Sequence, residues 1–465
     1  MTALSLPRPR RVRPLAVLAA SVALVATVQV AAQLRPVAPA APPAEAPAVE
    51  GPVAPPQAPI GSASGSLAQI DHSIAAWTAN LEANAKDFLS ARNLGLLYEA
   101  RARLSGDVTD YARADEAATR SLSIEPRQLD VQALHARILL ATHDFSGALV
   151  EASSIDRTAP DQPAVLAIIG DASLELGYLD AAAAIYGRID TLAPSPAVTA
   201  RLARVAFLRG DAADAVALAA SAHAAAAADH GDGPSISWYA YVTGTFSLAA
   251  GDLEGAARWF DQALGAWPES YLALAGAARA DAAMGDVDAA IAGYRAAVAI
   301  APQPDALAAL GDLLALRGQD AAAEEQYATV LAIARIQGEG GLVYNRQLAL
   351  FLVDHDRDVA EALRLAELEL DERKDAYGYD AYAWALLANG RAADADAAMA
   401  TALATGARDA RLLFHAGEIA LALGDDARAR ALLQESLAIL GALDPLSAAR
   451  AAETLASVDA QRPVR

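Results

Sequence analysis

Residues 277–302 read AARADAAMGDVDAAIAGYRAAVAIAP, and the reading of this stretch decides the fold. Small residues fill its first third, Gly285 interrupts it, and a second alanine-rich run carries Tyr294 and ends at Pro302. Alanine is the strongest helix former, and glycine is the residue that most readily ends a helix in a left-handed turn. Two helices folded back on each other are therefore predicted. The template returns as IGDASLELGYLDAAAAIYGRIDTLAP at 169–194 and as TGTFSLAAGDLEGAARWFDQALGAWP at 243–268. Gly251 to Gly285, Pro268 to Pro302 and Gly390 to Gly424 are each separated by 34 residues.

A small residue stands seven positions before each turn glycine, as Gly170, Gly244, Ala278, Gly311, Ala383 and Gly417. Early in the second helix another follows: Ala182, Ala215, Ala256, Ala290, Ala323, Ala395 and Ala429. Four positions later comes a large one, Tyr186, Phe260, Tyr294, Tyr327, Met399 or Leu433. Helices faced with alanine can approach more closely than the usual ~8–10 Å, and the large residue then plugs the gap toward the next pair. No pair buries its apolar face alone, so at least three must stack.

These spacings resemble the tetratricopeptide repeat, whose period is 34 residues. The arrangement over most of the chain is similar to exported bacterial arrays of that family with no assigned chemistry. The resemblance implies an all-α solenoid, a right-handed superhelix of nine or ten helix pairs spanning 68–460. Residues 94–126 carry a longer inter-helix segment, and 129–160 hold His143-Asp144-Phe145 where the glycine would stand. Irregular insertions are expected near 224–236 and 336–344.

Composition agrees with thin layers of packed helices. The chain has 465 residues and is 55% hydrophobic but only 5% aromatic. Its formal charge is −21, from 36 basic and 57 acidic residues, and Lys86 and Lys374 are its only lysines. Sequence-independent nucleic-acid binding rests on cationic neutralisation of phosphates, so nucleic acid is set aside as a partner. Cysteine is absent, which excludes disulfides, thiolate metal sites and cysteine nucleophiles. The histidines form no HExxH and no recognisable ligand spacing. Arg209-Gly210-Asp211 falls on an inter-helix turn where the glycine already has a structural task. The residues point to no catalytic centre, metal or cofactor.

The N-terminus reads as an export segment. Arg8, Arg10, Arg11 and Arg13 precede the uncharged run from Leu15 to Val28. As a helix this run rises about 21 Å, short of a ~30 Å hydrocarbon core. A cleaved signal peptide and a single-pass anchor, both within 1–32, stay open, and either puts the rest of the chain outside the cytoplasm. Residues 33–67, rich in Pro and Ala, read as a disordered spacer.

The family resemblance also implies ligand binding on the concave face, at the second, fifth and ninth positions of each pair. In the pair starting at Ala376 these are Tyr377, Asp380 and Trp384, which share one helical face. The preceding pair adds Arg346, and the following one adds Arg411, Phe414 and Glu418, while Trp238 and Tyr241 take corresponding sites upstream. Aromatics and arginine suit a peptide groove because they bury much area with few rotors. The competing reading is that they cover neighbouring helices and bind nothing. The expected function is a non-enzymatic scaffold that binds a peptide or helix in its hollow, periplasmic or tethered to a membrane. The alternative is an assembly factor for a secreted or membrane complex, acting through convex or edge surfaces.

Overall fold

The computed structural model describes residues 67–339, 345–439 and 443–460. These residues form 22 helices and no strand. A leading helix, α1 (Leu67–Ala83), is followed by ten pairs. The first five are α2–α3 (Phe88–Ser105, Thr109–Ile124), α4–α5 (Leu129–Ala141, Phe145–Thr158), α6–α7 (Pro163–Glu175, Leu179–Leu192), α8–α9 (Pro196–Leu208, Ala212–Ala228) and α10–α11 (Gly233–Ala249, Leu253–Ala266). The second five are α12–α13 (Tyr271–Ala283, Val287–Ile300), α14–α15 (Pro304–Leu316, Asp320–Glu339), α16–α17 (Asn345–Asp354, Val359–Glu372), α18–α19 (Ala376–Ala388, Ala392–Leu403) and α20–α21 (Ala410–Ala422, Asp426–Ala438). A final helix, α22 (Pro445–Ala460), packs on α20 and α21 and reaches α14.

Local rules set these boundaries. Most turns between paired helices carry a glycine with φ between +70° and +89°, a backbone state only glycine adopts without cost. His143 takes that place between α4 and α5 with φ +67°. An aspartate then caps most second helices: Asp211, Asp252, Asp286 and Asp425 each accept the N–H three residues on. The small residues do what their spacing predicts, since a Cβ at Gly170 would lie 2.4 Å from the Tyr186 ring and one at Gly311 the same distance from Tyr327. The large residue packs against the first helix of its own pair as well as toward the next. Phe260 crowds both Gly244 and Gly276.

Two sequence expectations are refined. The insertion expected at 224–236 is taken up mostly as helix: its alanines prolong α9 to Ala228, and Asp232 caps α10 by accepting from Ser235, so only 229–232 lies outside helix. In the first pair it is α2 that is long, at 18 residues, while the turn is short. The second expected insertion is helical as far as Glu339, and 340–344 lie outside the described residues. So do the export segment and nearly all of the Pro/Ala-rich spacer. Among the described residues no helix is long and apolar enough to cross a membrane.

First helices of successive pairs touch one another, as α4 does α6 and α16 does α18, which puts them on the inside of the curve. The curve is tight enough for the array to meet itself. Gly106 abuts Ala301 and Gln303, Gly177 abuts the Lys374 carbonyl, Gly210 abuts Gly406, and Gly251 abuts Ala438. In each case the turn inside one pair rests on the loop that follows the pair five places later. The solenoid is a coil whose first turn is seated against its second along a seam.

Candidate functional site

The inner wall of this coil holds the residues expected to form a groove, most of them buried. Asp380 and Phe414 are 0% exposed and Trp384 4%. Asp380 is hydrogen-bonded to His415 Nδ1 at 2.7 Å, and Arg411 stands 3.5 Å from it. Trp384 donates its indole N–H to Asp354 at 2.7 Å and stacks on the His415 ring at 4.1 Å. Phe414 packs 5.6 Å from the Trp384 ring. These side chains join α16, α18 and α20; they do not present a free surface.

The remaining candidates are also engaged. Arg346 is paired with Asp375 at 2.7 Å and Glu369 at 3.1 Å. Tyr377 is half-buried, its hydroxyl 3.4 Å from Asp409 and its ring beneath the Arg411 guanidinium. Burial, with Asp409 beside it, pushes that hydroxyl far above its ordinary range. Trp238 and Tyr241 are buried in α10, the first edge-on to Tyr239 and the second against Phe260. Glu418 is partly buried next to Thr454 of α22, and burial raises its carboxyl. Coiling brings neighbouring first helices close together, and the residues expected to line an aromatic groove make contacts between those helices.

Sequence reasoning missed a ladder of buried charge along the same wall. Glu99 holds Arg137 through two bonds of 3.0 and 2.9 Å. Asp171 holds Arg201 through two bonds of 2.8 Å and also accepts from Tyr186 at 2.8 Å. Asp312 accepts from Tyr327 and faces His355, each at 2.9 Å. The signal was present, since an acid follows the small glycine in Gly170-Asp171 and Gly311-Asp312. The cation comes from the next pair at a variable distance in sequence, so no fixed spacing marks it.

A second cluster crosses the seam. Arg373, at the end of α17, pairs with Glu175 of α6, and its guanidinium lies 4.8 Å from the Phe145 ring. Glu175 also meets Arg204 at 2.7 Å, and Arg373 reaches Glu369 at 3.1 Å. Burial pushes the Glu175 carboxyl up, but Arg204, Arg373 and Arg346 outweigh it and hold it down at about 2. Outside this cluster the seam opens into a cleft of about 550 Å³ lined by Tyr178, Leu179, Asp180, Arg209, Ala404 and Thr405. Tyr178 is 57% exposed there and stands where other second helices carry the capping aspartate. Among the described residues no group of three or more His, Asp or Glu is placed to hold a metal ion.

Residues 247–313 match the family profile described as tetratricopeptide repeat. A search of curated proteins gives no match. Among solved structures, the human IFIT1 dimer with PPP-AAAA is similar at 14% identity, covering 80% of this chain and 87% of that one, with a TM-score of 0.44. A thermophilic TPR protein of Thermus thermophilus is 18% identical over 42% of this chain and 98% of its own, with a TM-score of 0.37. Yeast Tom70 is 14% identical over 85% and 93%, with a TM-score of 0.33.

Proposed function

Since the chain carries tetratricopeptide repeats, we propose that it is a non-enzymatic protein-interaction scaffold that meets its partner through edge and outer surfaces. The observation that carries this reading is the state of the inner wall: Asp380, Trp384, Phe414 and Arg346 are buried and paired with one another's helices. A peptide entering the hollow would have to replace those bonds, and breaking a buried charge pair costs about 3–5 kcal/mol. Exposed side chains carry no such cost. Tyr178 in the seam cleft, amphipathic and mostly solvent-facing, has the character of an interface anchor.

The scaffold acts outside the cytoplasm in this reading, as a secreted or membrane-tethered protein. Support comes from the arginines at 8–13 followed by the apolar run Leu15–Val28. Sequencing the mature N-terminus separates the two forms: a start near Gln33 means cleavage, and a start at Met1 means a retained anchor.

Crosslinking in the native host, followed by identification of what the chain captures, tests the scaffold. Tyr178→Ala is expected to lower capture at least severalfold with the melting temperature nearly unchanged. Loss of capture in a well-folded Tyr377→Ala protein, with Tyr178→Ala behaving as wild type, would return the contact to the inner wall.

A further inference from the structure

The seam shows what kind of surface covers the turn edge of a helix pair, and among the described residues four turn glycines have no such cover. Gly106, Gly177, Gly210 and Gly251 are half-buried beneath loops of the second coil turn. Gly285, Gly318, Gly390 and Gly424 have the same backbone state but are exposed, and among the described residues nothing lies within 4 Å of a Cβ placed on any of them. The side chains beside them follow suit. Leu176, directly before Gly177, is 7% exposed, whereas Met284 and Leu423 in the same position are each 45% exposed. Leu208, two residues before Gly210, is half-buried, and its counterpart Leu316 is 51% exposed. The uncovered turns thus carry exposed apolar side chains.

We propose that the free turn edge of the second coil turn, around Met284, Leu316 and Leu423, docks the loop edge of a second copy of this chain. The occupant follows from continuity with the internal seam, where the same edge takes inter-pair loops of this very polypeptide. Beside the matching loops of the first coil turn, helix ends also display large apolar residues: Leu129 is 43% exposed and Leu192 48%. One edge therefore meets a different edge. Such a head-to-tail contact does not close on itself, so copies add along the coil axis. The formal charge of −21 opposes this association. Salt screens that repulsion within a Debye length of about 8 Å at physiological ionic strength, so assembly strengthens as salt rises. The inference does not depend on the capture of any other protein.

Sedimentation velocity of the purified full chain tests it, from about 1 to about 100 μM, the range of weak association. Expected is a concentration-dependent rise in size that grows between about 0.05 and 0.3 M salt. Leu316→Glu with Leu423→Glu disables one edge and Leu129→Glu with Leu192→Glu the other. All four positions are exposed, so each pair of changes is expected to leave the helix content and melting temperature intact and to weaken self-association about tenfold or more. Mixing the two variants leaves one good edge on each and is expected to give dimers but nothing larger. A wild-type chain that stays monomeric throughout overturns the proposal, whether or not a foreign protein binds that edge. So does association indifferent to both variants, which would place it on the N-terminal apolar run, and so does a mixture that forms no dimer.

Discussion

Gly177 and Gly318 hold the same place in the third and seventh pairs, with left-handed φ values of +89° and +70°, yet one is pressed against a carbonyl and the other faces solvent. The two coil turns differ inside as well. In the first, Asp171 joins Tyr186 to Arg201; in the second, the equivalent Asp312 joins Tyr327 to His355. One template has produced a turn that is covered and pinned by arginine beside a turn that is open-edged and held by histidine. The lesson is that repeat identity dictates the pair, while position along the coil dictates what the pair is used for.

The largest effect separating the two turns should come from the buried arginine. Arg201 is 1% exposed, and Arg201→Ala leaves Asp171 charged and half-paired in the interior. A loss of about 3–5 kcal/mol is expected, read from the denaturant midpoint. A loss below about 1 kcal/mol would show that water enters the wall freely and would break the contrast between buried ladder and open edge.

Glycine substitution measures the seam directly. Ala at either position must adopt φ > 0, at about 1–2 kcal/mol. At Gly177 its Cβ would also stand 2.4 Å from the Lys374 carbonyl oxygen, and at Gly318 nothing among the described residues is near. Gly177→Ala is expected to cost roughly 1 kcal/mol or more beyond Gly318→Ala, by overpacking. Equal costs would mean that the coil opens readily in solution.

Helices α16 and α18 should respond to pH where α6 and α8 do not. Burial and the nearby Asp444 raise the Asp354 carboxyl to about 6, His415, His355 and the Trp384 N–H only partly offsetting them. Burial likewise raises Asp312, despite His355 and Tyr327 beside it. Burial lowers His355, but its bond to Asp312 outweighs that and leaves it raised. All three groups are raised by folding, so their contribution is full below the unfolded values. It is lost as pH rises, through about 6 for Asp354 and above the ordinary histidine range for His355. Amide exchange in α16 and α18 should therefore quicken from pH 5 to pH 8 more than in α6 and α8, after correction for the intrinsic rate. Asp354→Asn, which keeps an acceptor for Trp384, should remove part of that slope, on the order of 1 kcal/mol.

The smallest effect concerns the cap that the seam cleft lacks. Tyr178→Asp restores the residue found at Asp211, Asp252 and Asp286, and a gain of up to about 1 kcal/mol is expected in thermal melts. Glu175 and Asp180 nearby reduce that gain. A clear loss would mean that Tyr178 packs into the seam and does not serve as an exposed anchor.

Much of this architecture was legible before any coordinates. The glycine at seven residues from a small partner marked the turns, and the order Gly170, Gly177, Ala182, Tyr186 described one pair completely. The candidate wall was legible only as a set of positions. Tyr377, Asp380 and Trp384 do lie on one first helix, but reading them as a groove required knowing how tightly neighbouring first helices converge. The partners that bury them, His415, Asp354 and Arg411, sit about 30 residues away, at separations no motif records. Arg373 and Glu175, almost 200 residues apart, carried no sequence signal at all.

The amino-acid order alone determined the helix pair, its turn, its cap and the stacking of each pair on the next, because those contacts lie within one or two repeats and follow from side-chain size. Only the tertiary structure decided that the coil closes and that its wall is spent on itself. Closure depends on small rotations per pair summed over five pairs, so no single residue encodes it and every pair contributes.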